Sequence, residues 1–260
     1  MAIRVTTNDL IRLNELVKIY YGNEINIYVM HGLMVSYLCS ANTERFDTFL
    51  FNPGEHEPII PMLEFEGDIN KEFLPLFFGK LFNQIIEVSN KGKLVYPLIS
   101  TDGFNLDFNP EALTSEQKRC LLDWYMGFFM GFMYLWKHDA IHYYIEQSDT
   151  DEGFLSGIIT DRFVTALNTH YIVACNLITE VKPKYKNKDF KFILKKIKEA
   201  VSNISENQTM IIKTLLKSNA KRPYYLRATS EIIGIACDAL KLIKSRGVLT
   251  SANDSVYTSH

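Results

Sequence analysis

At 260 residues the chain is long enough to bury one large core or two small ones. Its hydrophobic fraction of 47% and charged fraction of 22% are ordinary for a globular protein and exclude wholesale disorder. The formal net charge of −2 hides an asymmetry: residues 1–149 carry 11 Lys and Arg against 20 Asp and Glu, and residues 150–260 carry 17 against 10.

Halves of opposite sign either attract each other or face different partners. The chain opens Met-Ala-Ile-Arg-Val-Thr-Thr-Asn-Asp, with no basic-plus-apolar leader, and holds no uncharged apolar run of membrane-spanning length. A cytoplasmic setting without a membrane span is the expectation. Cys39, Cys120, Cys175 and Cys237 are far apart and form no C-x-x-C pair. Each falls in an apolar helical pattern, where a reduced thiol behaves as a small hydrophobe, and no spacing supports zinc or a disulfide framework.

In chain order, Thr6 or Thr7 caps a first helix with Leu10, Leu13, Leu16, Val17 and Tyr20 on one face and Gly22 as its stop. A second helix runs from about Ile25 to Ser40. Ala41 to Asp68 is loop-like and acidic, with Pro53, Gly54, Pro58 and Pro61. Pro75 suits the first turn of a third helix ending near Asn90 and Gly92. Turn chemistry (Pro97, Asp102-Gly103, Asn109-Pro110) makes 96–110 irregular.

Thr114-Ser-Glu-Gln117 is a capping box. It launches the stretch from Asp123 to Lys137, whose residues between those two charges are apolar on every face yet, at 13, too few to span a bilayer. Gly127 and Gly131 share one face of it, so a second helix is expected to cross closely there. Helical spacing resumes from Asp151 to Val181, where Lys182-Pro183 ends it. Eight lysines follow between Lys182 and Lys198, around an apolar stripe of Phe190, Ile193, Leu194, Ile197, Val201 and Ile204. Two more helices, near 208–217 and 224–244, precede a polar tail at 251–260. No sustained two-residue alternation marks a strand. The expected fold is all-α: a multi-helix bundle around a buried helix at about 116–137, with a C-terminal helical extension.

Three pieces, in order, resemble one family: His31-Gly32-Leu33-Met34, Phe73-Leu74-Pro75-Leu76-Phe77, and Trp124-Tyr125-x-Gly127-Phe128-x-x-Gly131-Phe132. Together they resemble the bacterial YecA/YgfB-like proteins over residues 10–150. The resemblance implies a small all-helical domain over 1–150 and a cytoplasmic setting, and it implies no reaction. Some members carry a Cys-rich metal-binding tail; this chain is expected to end instead in a basic helical extension or second helical bundle (151–250) and a disordered Ser/Thr/Asp tail (251–260).

Chemistry-bearing residues are few. His138 and His142 are four apart, a spacing suited to two metal ligands, but Asp-Ala-Ile between them lacks the Glu base of an H-E-x-x-H hydrolase. A third ligand would come from Asp123, Glu146 or His170. His31 is accounted for by a neutral imidazole in the core. Asp107 with Glu111, or the carboxylates of the 55–68 loop, lack the fixed spacing of an acid–base pair. Phosphate-binding glycine loops and a G-x-S-x-G elbow are absent from the sequence.

In the lysine run, Lys184, Lys188, Lys191, Lys195 and Lys196 are the candidate contacts for the acidic surface of a partner protein. Lysine lacks the bidentate fork that specific nucleic-acid recognition favours. The function expected is therefore a non-enzymatic protein-interaction or regulatory module without a cofactor. A hydrolase built on His138 and His142, and nucleic-acid binding through Lys182–Lys198, are the alternatives.

Overall fold

The computed structural model describes residues 5–39, 73, 75–93, 95–100, 113–137, 154–204, 206, 210 and 229–238. All regular secondary structure among them is helical: α1 (Thr7–Tyr21), α2 (Ile27–Cys39), α3 (Pro75–Phe82), α4 (Asn83–Asn90), α5 (Ser115–Lys137), α6 (Phe154–Val181) and α7 (Lys188–Ser202), with residues 229–238 helical as well. None of the described helices is long and apolar enough to cross a membrane.

Local chemistry accounts for most of the boundaries. Thr6 and Asp9 close a reciprocal capping box at the start of α1, the Thr6 hydroxyl accepting from the Asp9 amide at 3.2 Å and the Asp9 carboxylate from the Thr6 amide at 2.9 Å. Gly22, at φ 77°, ends that helix in a conformation that side chains resist. Asn26 then caps α2, its Oδ1 accepting from the amides of Tyr28 and Val29. The capping box expected at Thr114 and Gln117 is present in both directions, at 3.2 and 2.9 Å. Lys182, at φ 48°, closes α6 just ahead of Pro183. The third helix differs from expectation in one respect: α3 is wound with i→i+5 bonds before the chain tightens into α4. Eight residues are too few for apolar spacing to distinguish the two windings.

At the centre lies a pair of helices. The sequence singled out α5, and its residues Leu121 to Phe129 are indeed buried without interruption. Yet α2 is buried just as completely, with His31, Gly32 and Ser36 enclosed beside Val29, Met30, Leu33, Met34 and Val35. Its thirteen residues carry no formal charge, so no face of it prefers water.

The two helices meet backbone to backbone. A Cβ added at Gly127 would lie 1.8 Å from the Val29 carbonyl oxygen, and one at Gly32 would lie 2.0 Å from that of Trp124. One at Gly131 would lie 2.0 Å from Ser36 Oγ. Around this crossing α5 stacks its aromatic rings: Trp124 on Phe128 at 5.4 Å, and Phe128 on Phe132 at 6.0 Å.

Outside the pair, α1 buries Leu10, Leu13, Leu16 and Val17. Lys80 of α3 reaches the Asp9 carboxylate at 2.9 Å. α6 lies against α5 and α7, presenting Ala166, Leu167, His170, Val173, Ala174, Leu177 and Ile178 at helical spacing. The ring of Tyr171 stacks flat on Phe129, centroids 4.8 Å apart. The boundary expected near residue 150 lies outside the described residues, but polar contacts join the two halves on either side of it. Tyr125 shares a hydrogen bond with Thr229 at 2.8 Å, and Ser230 donates to the Val95 carbonyl at 2.6 Å. Lys118 of the acidic half pairs with Glu180 of the basic half at 2.6 Å. That ion pair runs against the net sign of each half, so local complementarity places it rather than gross charge.

Candidate functional site

Helix α7 separates its residues cleanly. Phe190, Ile193 and Ile197 are buried, with Leu194 and Val201 half-buried beside them. All eight lysines from Lys182 to Lys198 are exposed. Lys188, Lys191, Lys195 and Lys198 recur at helical spacing along one face. Phe192 stands among them with 49% of its surface in water, and Lys196 Nζ lies 5.6 Å from the centre of its ring. Glu199 pairs with Lys195 and Lys196 at the C-terminal end. Such exposed pairs hold little energy and yield readily to a partner.

The face is held in place by its N-terminal end. Asn187 caps α7, accepting from the amides of Asp189 at 2.7 Å and Phe190 at 3.4 Å. The amides of Lys186 and Asn187 both donate to the carboxylate of Glu24, the second at 2.5 Å. Tyr185 is buried, its ring edge-on to Phe190 at 4.9 Å and its hydroxyl donating to Asp123 Oδ1 at 2.6 Å. The other oxygen of Asp123 accepts from the Asn26 side chain at 2.9 Å. One buried carboxylate thereby joins the start of α2, the middle of α5 and the strap leading into α7. Burial pushes the Asp123 carboxyl up, and the bonds from Tyr185 and Asn26 only partly oppose that. Burial, with the Asp123 charge beside it, pushes the Tyr185 phenol far up and keeps it a donor.

The bond from Tyr185 can be tested directly. Tyr185→Phe leaves Asp123 one donor short in a buried place, so we expect a loss of about 1.5–3 kcal/mol in urea unfolding. Amide exchange should quicken first at 186–190. An unchanged unfolding midpoint would rule out the strap as a structural tie.

Among the described residues two histidines are buried as well. Trp124 Nε1 donates to His31 Nδ1 at 2.9 Å across the α2–α5 pair. That contact satisfies an indole N–H whose burial alone would cost about 1–3 kcal/mol, and it requires His31 to keep Nδ1 unprotonated. Burial lowers the pKa of His31 to about 3. His170, on α6, lies stacked on Phe128 at 4.8 Å and edge-on to Tyr125 at 5.7 Å. Among the described residues neither of its ring nitrogens has a hydrogen-bond partner, and burial likewise lowers its pKa to about 3.

The residues expected to carry chemistry fare unequally. His138, His142 and Glu146 lie outside the described residues, as do Asp107, Glu111 and the 55–68 loop. Of the possible third ligands, Asp123 is held by Asn26 and Tyr185, while His170 is enclosed by aromatic rings. Among the described residues, no group of three or more His, Cys, Asp or Glu could hold a metal ion. Lys184, Lys188, Lys191, Lys195 and Lys196 are all exposed on the strap and on α7.

Sequence reasoning missed the residues that position this surface. Asn187, three before Phe190 at the head of an apolar stripe, is a capping signal that could have been read. Asn26, directly ahead of the apolar run of α2, is a second such signal. Glu24 and Tyr185 carried none. Comparison with known proteins finds no matching family model, no matching curated protein and no matching solved structure.

Proposed function

We propose that this chain is a cytoplasmic, non-enzymatic protein-interaction module that docks an acidic segment of a partner protein on the lysine face of α7. The observation that carries this reading is the division of residues 182–198: all the lysines in water, Phe190, Ile193 and Ile197 in the core, and the strap tied to Glu24 and Asp123. A cationic face anchored in this way presents charge without first having to order its backbone, and Phe192 offers an apolar contact at its centre. Lys184, Lys188, Lys191, Lys195 and Lys196 supply the positive charges.

For residues 10–150 the YecA/YgfB-like family is our reading. It is supported by the meeting of two of the motifs that suggested it. His31-Gly32 and Trp124 with Gly127 and Gly131 pack against each other at the α2–α5 crossing.

The test is affinity capture with the full chain beside a variant in which those five lysines are glutamate. The expected partner binds the native chain tightly at low salt and at least tenfold more weakly as salt rises or when the lysines are reversed. Changing the partner's contacting carboxylates to lysine should restore binding to the reversed variant. If the native chain instead shifts DNA or RNA in a salt-dependent way and the variant does not, nucleic acid is the ligand and this reading falls.

A further inference from the structure

Cys39 and Cys237 are 198 positions apart in sequence, yet their sulfurs lie 3.3 Å from each other. Cys39 is the last residue of α2 and fully buried; Cys237, on helix 229–238, is half-buried. A disulfide requires an approach to about 2.0 Å, so about 1.3 Å separates the present contact from a bond. The other two cysteines stand on α5 and α6, and burial pushes the Cys120 thiol up to about 11, leaving it unreactive at neutral pH. Among the described residues, helix 229–238 is tied at its start through Thr229 to Tyr125 and Ser230 to Val95. The thiol pair sits about two turns further on, where a covalent tie would add a second hold on the helix.

We propose that Cys39 and Cys237 form a reversible dithiol–disulfide pair, oxidised by a small-molecule disulfide, that locks helix 229–238 onto the end of α2. The thiol of the half-buried Cys237 loses its proton and attacks one sulfur of oxidised glutathione. A mixed disulfide forms and one glutathione leaves as thiolate. Cys39, deprotonated in turn, attacks the Cys237 sulfur, and the second glutathione thiolate departs. The protein has given up two electrons and two protons, and the two glutathione thiolates have taken up the protons. Dithiothreitol or reduced glutathione runs the sequence backwards.

The experiment equilibrates the full native chain across glutathione buffers from reducing to oxidising, then digests it without reduction. We expect a pair of peptides joined at Cys39 and Cys237, an intact mass lower by two hydrogens, and a melting temperature higher by roughly 10 °C from closing so long a loop. Reduction should reverse all three. Cys175→Ser should retain them, and Cys237→Ser should lose them. Because the bridge is read on the native chain, poor folding of the Cys237 variant would not obscure the result. The proposal is overturned if glutathione stays on Cys237 as a mixed disulfide, if the bridge involves Cys120 or Cys175, or if all thiols can still be alkylated in the most oxidising buffer. A bridge that forms without raising the melting temperature would overturn the locking role.

Discussion

Gly127→Ala is expected to cost at least about 3 kcal/mol, lowering the melting temperature by roughly 6–12 °C, although alanine is the better helix former. The added methyl would sit 1.8 Å from the Val29 carbonyl oxygen and 2.6 Å from its carbon. Both are backbone atoms, so no rotamer change relieves the overlap, and α2 and α5 must move apart. That movement would strain the Trp124–His31 hydrogen bond and the stacked rings packed around the crossing. A domain with some 5–15 kcal/mol in hand tolerates one such change poorly.

Substitutions elsewhere should rank by what they meet. Gly32→Ala, 2.0 Å from the Trp124 carbonyl oxygen, should be about as damaging. Gly131→Ala meets the Ser36 hydroxyl, a side-chain atom, and should cost only about 1–3 kcal/mol. Ser36→Ala in the same chain should recover part of that loss, since it removes the atom in the way. Gly79→Ala meets nothing within 4 Å among the described residues and should be close to neutral. Urea unfolding of the four single variants and the double checks the ranking. If Gly127→Ala proved no worse than Gly79→Ala, the close crossing would be refuted.

The second large effect is acid lability. His31 and His170 both have pKa values lowered to about 3 by burial, whereas in the unfolded chain each titrates near 6.5. Between those values the unfolded state binds protons that the folded state refuses, so stability falls as pH falls. Their contribution is intact above about pH 6.5 and shrinks steadily toward pH 3. From pH 7 to pH 5 the two together should cost about 4 kcal/mol. Asp123 acts in the opposite direction: its raised pKa favours protonation of the folded form, which offsets part of the loss in the acid range. Replacing His170 by phenylalanine removes two buried nitrogens without a partner among the described residues, and with them one of the two titrations. The variant should be no less stable than the native chain at pH 7 and should show about half its loss at pH 5. A native unfolding free energy that stays flat from pH 7 to pH 5 would contradict the burial of both imidazoles as neutral rings.

How much of this was legible in advance depends on how far apart the interacting residues stand. The Thr6–Asp9 box, the Gly22 stop, the Thr114–Gln117 box and the Lys182-Pro183 break are contacts within a few residues, and local rules locate them. The buried stripe of α7 and its exposed lysines follow from periodicity, because water sorts a helix face by face. The need for a close helix crossing at Gly127 and Gly131 was visible too, since two absent side chains on one face leave a gap to fill. Gly32 and Val29 as what fills it were not visible.

The sequence by itself determined that this chain is helical, where most of the described helices start and stop, and which residues of α7 meet water. Only the tertiary structure decided that α2 shares the centre with α5, that Trp124 finds His31 across 93 positions and Asn26 finds Asp123 across 97, and that Cys39 meets Cys237. The reason is physical. Capping and periodicity act through neighbouring backbone groups and the surrounding water, which the order of residues specifies directly. Long-range partners are chosen by the fit of whole helix faces, and a single asparagine, histidine or cysteine carries no mark of the face it will meet.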